Sequence, residues 1–396
     1  MPTSTLAYLP VTATRPPGTR PVLITRQLLI RFVSMVGSAT SFYLLLSVVP
    51  SYVAAAGGAA PGAVTGALML ATVLGEMVTP RLVARYGYRW VLATGLALLG
   101  VPSLALMAST HIAAVVAVCL VRGLGFALTV VAGGAMTATL IPAERRGEGL
   151  ALTGVVAGVP ALAALPLGLW LSAHHGYPPV FVAAAVAALI ALATVPWLPT
   201  RTATAGKATA IGVFAGMRMP QLRRPALVFA LTTTAAGVFV TFLPLAVRPG
   251  SAGVVGAALF AQSAASTAAR WWAGRHGDRH GFTTLLIPGL LAAAAGMALL
   301  MFTSSTAAVL IAAVVFGTGF GIAQNATLAT MYSRVPQSAY GTASALWNLA
   351  YDAGLGIGAV AFGALAVGTG YPIAFVLTAL VVIVGLPIVR RDRRAG

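Results

Sequence analysis

Acidic residues are scarce in this 396-residue chain, with six Asp and Glu against 24 Lys and Arg. Charged residues of both signs make up only 8% of it, while hydrophobic residues make up 59%. A soluble globular protein carries about 25% charged residues. So little charge cannot coat a surface in water, which excludes an ordinary soluble domain and leaves a polytopic membrane protein. The formal net charge of +18 does not revive nucleic-acid binding. The arginines sit in short connectors between apolar runs, not in basic patches interleaved with aromatics.

Other absences narrow the chemistry. The lone Cys119 lies in an apolar run, so no intramolecular disulfide is expected and the thiol reads as a small packing residue. No G-x-x-x-x-G-K-[ST] loop occurs, since Gly206-Lys207 is followed by Ala208, and ATP hydrolysis by that route is excluded. His174-His175 and His276-x-x-x-His280 lack acidic or Cys partners at metal spacing. No metal site, cofactor or Ser/His/Asp arrangement is expected, and the chain does not read as an enzyme. Gly354-x-Gly356-x-Gly358 lies inside an apolar run, where close helix packing is a better reading than a nucleotide loop. Residues 1–25, with Pro, Thr and Arg and no apolar h-region, read as a disordered cytoplasmic tail and not as a signal peptide.

What is present is apolar length. A spanning helix needs about 20 mainly apolar residues. Twelve runs qualify: 28–54, 62–80, 89–109, 112–140, 150–173, 178–198, 225–247, 253–273, 283–303, 306–332, 342–367 and 372–390. Lipid cannot satisfy open backbone groups, so the spans must be helices and the fold class is an all-α polytopic membrane protein. The connector 199–224 divides six spans from six, giving a bundle over 26–198, another over 225–390 and a short cytoplasmic tail over 391–396. With the N-terminus placed in the cytoplasm, 21 of the 24 basic residues fall in inside segments, and only Arg248 falls in an outside loop. This bias fixes the expected topology, with both termini cytoplasmic and the chain embedded in the plasma membrane.

The chain repeats itself at an offset of 194 residues. Pro50 meets Pro244, Arg85 and Gly87 meet Arg279 and Gly281, and Gly123, Gly125 and Phe126 meet Gly317, Gly319 and Phe320. Gly176-Tyr177-Pro178 meets Gly370-Tyr371-Pro372. Six spans per half is an even number, so the halves are parallel repeats related by an axis along the membrane normal.

The segment after the eighth span, Gly274-Arg-His-Gly-Asp278-Arg279-His-Gly281, resembles the G-x-x-x-D-R-x-G signature of the major facilitator superfamily. That signature occupies the loop between the second and third helices of each half. The first half keeps Arg85, Gly87 and Arg89 but has Pro80 and Ala84 where the signature has Gly and Asp. With the twelve spans and the repeat, the resemblance covers nearly the whole chain. It implies a monomeric transporter working by alternating access, with these two loops latching the cytoplasmic side in the outward-facing state.

Charges within the spans are functional candidates, because each costs at least ~2.5 kcal/mol on insertion scales. Asp352 lies midway through the eleventh span. Desolvation and a nearby cation act in opposite senses on a buried carboxyl, and a group held in that balance can take up and release a proton. Arg122 lies about 15 Å into the fourth span. The string Arg122-Gly-Leu-Gly125-Phe126 resembles the superfamily's fourth-helix motif, which implies a tuner of proton coupling; a structural arginine bonded to carbonyls is the alternative. Glu76 and Arg270 are equivalent by the repeat and suggest a network near the cytoplasmic mouth. Arg31, close to the start of the first span, is expected to snorkel to the interface.

Family architecture places spans 1, 4, 7 and 10 around a central cavity. This implies Ser38, Ser41, Tyr43, Thr129, Thr232, Thr233, Gln324 and Asn325 as lining residues, with Trp347, Asn348 and Tyr351 of the eleventh span beside them. A lining so sparse in charge suits a neutral or amphipathic small organic solute. Gly154-Val-Val-Ala-Gly158-Val-Pro160 is similar to the Gly-rich fifth-helix motif of antiporters in the superfamily and favours export. The expectation is proton-coupled efflux of a drug or secondary metabolite. A proton-coupled uptake permease for a sugar-like nutrient and a non-transporting membrane sensor are the alternatives.

Overall fold

The structure, a computed structural model, describes residues 22–58, 60–142, 146–199, 213–248, 251–336 and 339–395. Nearly all of the expected N-terminal tail, and residues 200–212 of the expected linker, lie outside these residues. No strand occurs among the described residues. The helices are α1 (Arg26–Leu46), α2 (Val48–Ala55), α3 (Pro61–Ala105), α4 (Ile112–Leu140), α5 (Arg146–His175), α6 (Tyr177–Thr194) and α7 (Val213–Arg218). They continue with α8 (Pro220–Ala246), α9 (Ala252–His280), α10 (Thr283–Leu299), α11 (Thr306–Ser333), α12 (Tyr340–Ile383) and α13 (Gly385–Ala395).

Ten helical stretches among the described residues are long and apolar enough to cross a membrane. Two of them each hold two of the twelve expected spans. α3 is broken at Gly87 (φ 80°, ψ 160°) and α12 at Gly370 (φ 74°, ψ 162°), a backbone region that glycine enters without a Cβ penalty. The chain folds back at both breaks. Gly75 and Gly95, on either side of Gly87, pack against the same stretch of α4, Leu124 to Thr129. The rings of Phe362 and Phe375 meet at 4.9 Å across the Gly370 break, whereas a straight helix would hold residues this far apart in sequence at about 20 Å. Large apolar side chains such as Leu70, Ile190 and Ile311 face outward, an arrangement that suits lipid.

The repeat is visible in the backbone itself. Four of the five positive-φ glycines, Gly87, Gly176, Gly281 and Gly370, form two pairs at the 194-residue offset. The packing repeats as well. A Cβ on Gly123 would strike the Leu68 carbonyl, and one on Gly317 would strike the equivalent Gln262 carbonyl. Gly125 sits against the Leu99 amide and the Gly95 carbonyl, as Gly319 sits against the Ala293 amide and the Gly289 carbonyl. Small residues let backbones approach closely where no hydrophobic force drives helices together in lipid. The expected packing role of the 354–358 glycines has the same basis: Gly354 and Gly358 lie against α8, and Gly356 lies against Met69 of α3.

The two halves join at the end of the bundle remote from Gly87 and Gly281. There Ser47 donates to the Val240 carbonyl at 2.8 Å and Thr241 to Thr65 at 3.3 Å. Gly62 abuts the Ala359 carbonyl and the Phe242 ring, and Gly66 abuts Val360. At the opposite, arginine-rich end, Arg81, Arg85, Asp278 and Arg279 are exposed. The molecule is closed at the arginine-poor end and open at the arginine-rich end.

Helix extends beyond the expected spans. Residues 81–89 and 274–281, expected as connecting loops, are largely helical. α3 is helical up to the break at Gly87, and α9 runs on to His280, where Gly281 (φ 85°) caps it by donating to the Gly277 carbonyl at 2.8 Å. The second half of the 199–224 linker is ordered into α7 and the start of α8. Residues 391–395 end a helix, in which Asp392 is buried with its carboxylate 2.8 Å from Arg334 and 3.7 Å from Arg224.

Candidate functional site

A cavity of about 480 Å³ lies between the halves, with walls supplied by α1, α3, α4, α5, α8, α9, α11 and α12. It reaches from Tyr43, Glu76 and Asp352 in the middle of the bundle to Arg31, Thr137 and Thr153 near the arginine-rich end. Of the expected lining residues, Ser38, Tyr43, Thr129, Gln324, Trp347, Asn348 and Tyr351 face it.

Ser41, Thr232 and Asn325 do not. Ser41 is buried, and its carbonyl accepts a hydrogen bond from Arg122. Thr232 is buried and bonds the Val228 carbonyl of its own helix. Asn325 points toward Gly274 on α9. Thr233 also lies outside the lining and bridges to the Ala350 carbonyl. A helix shows the cavity only one face, and membership of the right span does not select that face.

The intramembrane charges sort into three groups. Glu76 of the first half and Asp352 of the second bring their carboxyl groups within hydrogen-bonding reach of one another inside the cavity. Asp352 is 5% exposed. Beside the pair, Tyr43 of α1 and Tyr351 of α12 direct their hydroxyls toward each other, with Arg270 of α9 next to both. Arg270 belongs to the cavity wall. Glu76 and Arg270 therefore both line the cavity in the middle of the bundle and not at its mouth, Glu76 beside Asp352 and Arg270 beside the two tyrosines.

Arg122 is 1% exposed. Its Nε donates to the Leu99 carbonyl at 3.1 Å and its Nη2 to the Ser41 carbonyl at 2.9 Å. It is absent from the main cavity and does not contact Asp352. These contacts are those of the alternative reading, a guanidinium bonded to carbonyls that pins α1 and α3 to α4. Arg31 does not snorkel. It is 3% exposed, donates to the Gly133 carbonyl at 3.0 Å and to Ser34 Oγ at 2.7 Å, and lines the cavity near its open end.

The signature residues lie away from the cavity. Asp278 stands exposed in the last turn of α9 and forms no ion pair among the described residues. Gly274 and Arg279 share its helix, Gly281 caps that helix, and Arg85, Gly87 and Arg89 flank the break in α3.

Several lining residues were missed in the sequence. Gln262, Ser263, Ser266, Thr267 and Arg270 form a polar stripe down α9, all facing the cavity. Their spacing of three and four in AQSAASTAAR is a readable helical face. Phe126 and Phe320, equivalent by the repeat, form two aromatic walls. Phe126 stacks on Phe42 at 3.8 Å, and Trp347 stacks on Phe229 at 4.4 Å and donates to Thr327 at 3.1 Å.

Solved structures with the same architecture are those of transporters. The nucleoside transporter NupG, in a mutant form, matches with a TM-score of 0.76 at 14% identity, covering 93% of this chain and 100% of that one. A POT family transporter in complex with 5-aminolevulinic acid matches with a TM-score of 0.74 at 12% identity, covering 93% and 96%. A mutant of the peptide transporter POT matches with a TM-score of 0.73 at 14% identity, covering 93% and 94%. These likenesses show the fold. The sequence model described as the Major Facilitator Superfamily matches residues 31–359 and 226–395. The chain is thus an integral membrane transporter, and it belongs to the Major Facilitator Superfamily.

Proposed function

We propose that this protein couples proton movement to the passage of a small organic compound, with export as its direction. The observation that carries the reading is the meeting of Glu76 and Asp352, one carboxyl from each half, at the seam of the central cavity. A hydrogen bond between two carboxyl groups needs a shared proton. Loss of that proton leaves two like charges which, about 4 Å apart at an effective dielectric of 20, repel by about 4 kcal/mol. Such repulsion parts the halves at this level, so proton release and rocking are one event. Tyr43 and Tyr351 supply hydroxyls along the same seam.

The structure is closed at the arginine-poor end, so the cavity here is the inward-facing one if the positive-inside rule holds. In that state the 81–89 and 274–281 segments stand at the open end, with Arg85, Asp278 and Arg279 exposed. Exposed Asp278, Arg279 and Arg85 are then the latch that engages when the halves swing shut at that end. The small-solute assignment is supported by the cavity's size and by a fold shared with nucleoside and peptide transporters. The cavity is bounded by one chain's own halves, which supports a monomer as the working unit. Export rests on the Gly- and Pro-rich fifth span, whose Gly154 and Gly158 face the cavity.

The test uses protein in liposomes with a pH-sensitive dye inside and a panel of neutral, anionic and cationic aromatic compounds. Substrate-dependent proton movement that is abolished in Asp352→Asn and in Glu76→Gln is the expected result. Movement that survives both substitutions refutes the coupling site. Inward co-movement of proton and compound would make the protein an uptake permease. Binding without flux of any compound would make it a sensor.

A further inference from the structure

Among the described residues the charges of the cavity do not balance, and the surplus is positive. Four charged side chains line it there: Arg31, Glu76, Arg270 and Asp352. The two carboxyls face one another, so with one shared proton they contribute a single negative charge. The two guanidiniums contribute two positive charges, and neither forms an ion pair among the described residues. Arg31 is held by the Gly133 carbonyl and Ser34. Arg270 is not held in this way. Among the described residues its guanidinium makes no hydrogen bond, and its neighbours are the phenol groups of Tyr43 and Tyr351. A charged group in a membrane span is costly without a partner, and a guanidinium presents a planar fork that fits a carboxylate with two parallel hydrogen bonds. The walls of the same cavity are aromatic, with Phe126 and Phe320 on the two halves and Trp347 held to Thr327 of α11.

We infer that the transported compound is an aromatic organic anion, its carboxylate on Arg270 and its ring among Phe126, Phe320 and Trp347. This narrows the solute class suggested by the span composition, and it rests on the proposal that this cavity is the transport path. A multidrug cavity for organic cations would leave its carboxyls open to the ligand. Here they face each other, and the unoccupied charge is the arginine.

The probes are benzoate, phenylacetate and 1-naphthoate, each compared with its uncharged amide and with the matching benzylic or aryl-methyl ammonium. Binding is read by quenching of tryptophan fluorescence and by thermal shift in detergent, and flux is read in liposomes. The carboxylates are expected to bind about tenfold or more tightly than their amides, the range of one charge-assisted hydrogen bond or more. Arg270→Gln is expected to erase that preference while leaving amide binding in place. Arg270→Lys is expected to restore part of it. Arg270 faces open cavity, so both variants should fold, and unchanged size-exclusion profiles verify this.

Amide or ammonium bound and moved as well as carboxylate overturns the anion assignment while leaving the transport reading intact. Carboxylate preference that survives Arg270→Gln overturns the role of Arg270. If no probe of any charge moves, the transport reading fails, and binding of carboxylates alone would still support the anion site. Equal binding of inorganic phosphate would refute an aromatic ligand and leave only a free-anion site.

Discussion

The contact that closes the arginine-poor end can be broken with one methyl group. Gly62 of α3 sits against the Ala359 carbonyl of α12, and a Cβ placed there would also lie 3.1 Å from the Phe242 ring. The carbonyl is fixed in its helix and cannot step aside as a side-chain tip could. Overpacking of this kind costs about 1–3 kcal/mol, and the rigid partner points to the upper half of that range. The whole cost falls on the state described here, because rocking to the opposite state separates α3 from α12 at this end. Gly62→Ala should therefore shift the equilibrium toward the other state by about 30- to 150-fold.

The only native cysteine, Cys119, is buried, so a Cys119→Ala background gives a clean reporter. Thr153 lines the cavity near the open end and bonds the Gly149 carbonyl of its own helix, so Thr153→Cys should be tolerated. Its labelling by a membrane-impermeant maleimide from the arginine-rich side should slow strongly in Gly62→Ala. The matched control is Gly253→Ala, where a Cβ meets nothing within 4 Å and labelling should not change. Both variants gain the same helix propensity, about 1 kcal/mol, so the comparison isolates the clash. A folded Gly62→Ala protein labelled at the control rate would refute the assignment of Gly62 to the gate.

Three further outcomes follow from named contacts. Arg122→Met keeps the volume that ties α1 and α3 to α4 and removes only bonds to backbone carbonyls. Substrate-dependent proton flux should persist, and its loss in a folded variant would return Arg122 to the coupling machinery. Asp392→Asn should lower the unfolding temperature by roughly 2 °C, since its partners Arg224 and Arg334 are partly exposed and screened pairs are worth about 1 kcal/mol or less. A drop several times larger in detergent would mean that the cluster holds α8, α11 and α13 together more strongly than a screened pair can. Gly158→Leu points into open cavity, where a Cβ meets nothing within 4 Å. It should fold normally and weaken binding of the bulky 1-naphthoate more than that of benzoate, as a titration would show.

The parts of this fold that were readable in sequence are those set by one-dimensional physics. A bilayer fixes the length of an apolar run, which is why twelve spans emerge from composition even though α3 and α12 each carry two of them through a glycine break. Glycine's access to positive φ is equally local, so Gly87 and Gly281, or Gly176 and Gly370, mark the same turns in both halves. Rotation about a helix axis is harder to read when nearly every face is apolar. Thr232 and Ser41 were assigned to the cavity by span and lie in the packing. The polar stripe of α9 shows its face through its spacing, but α9 is the eighth span and lies outside the four that family architecture places around the cavity.

Pairing across the seam was not legible at all. Asp352 meets Glu76, not Arg122, because the partner of a mid-membrane charge depends on how two bundles dock, and no spacing within either bundle encodes that. The same docking joins a carboxyl from each half and leaves the guanidinium of Arg270 facing the cavity with, among the described residues, two phenols beside it. Charges that stand isolated along the chain thus become, once folded, a neutralisable acid pair next to a cation without an ion pair among the described residues. That arrangement suits the proposed proton-coupled carrier of an anion.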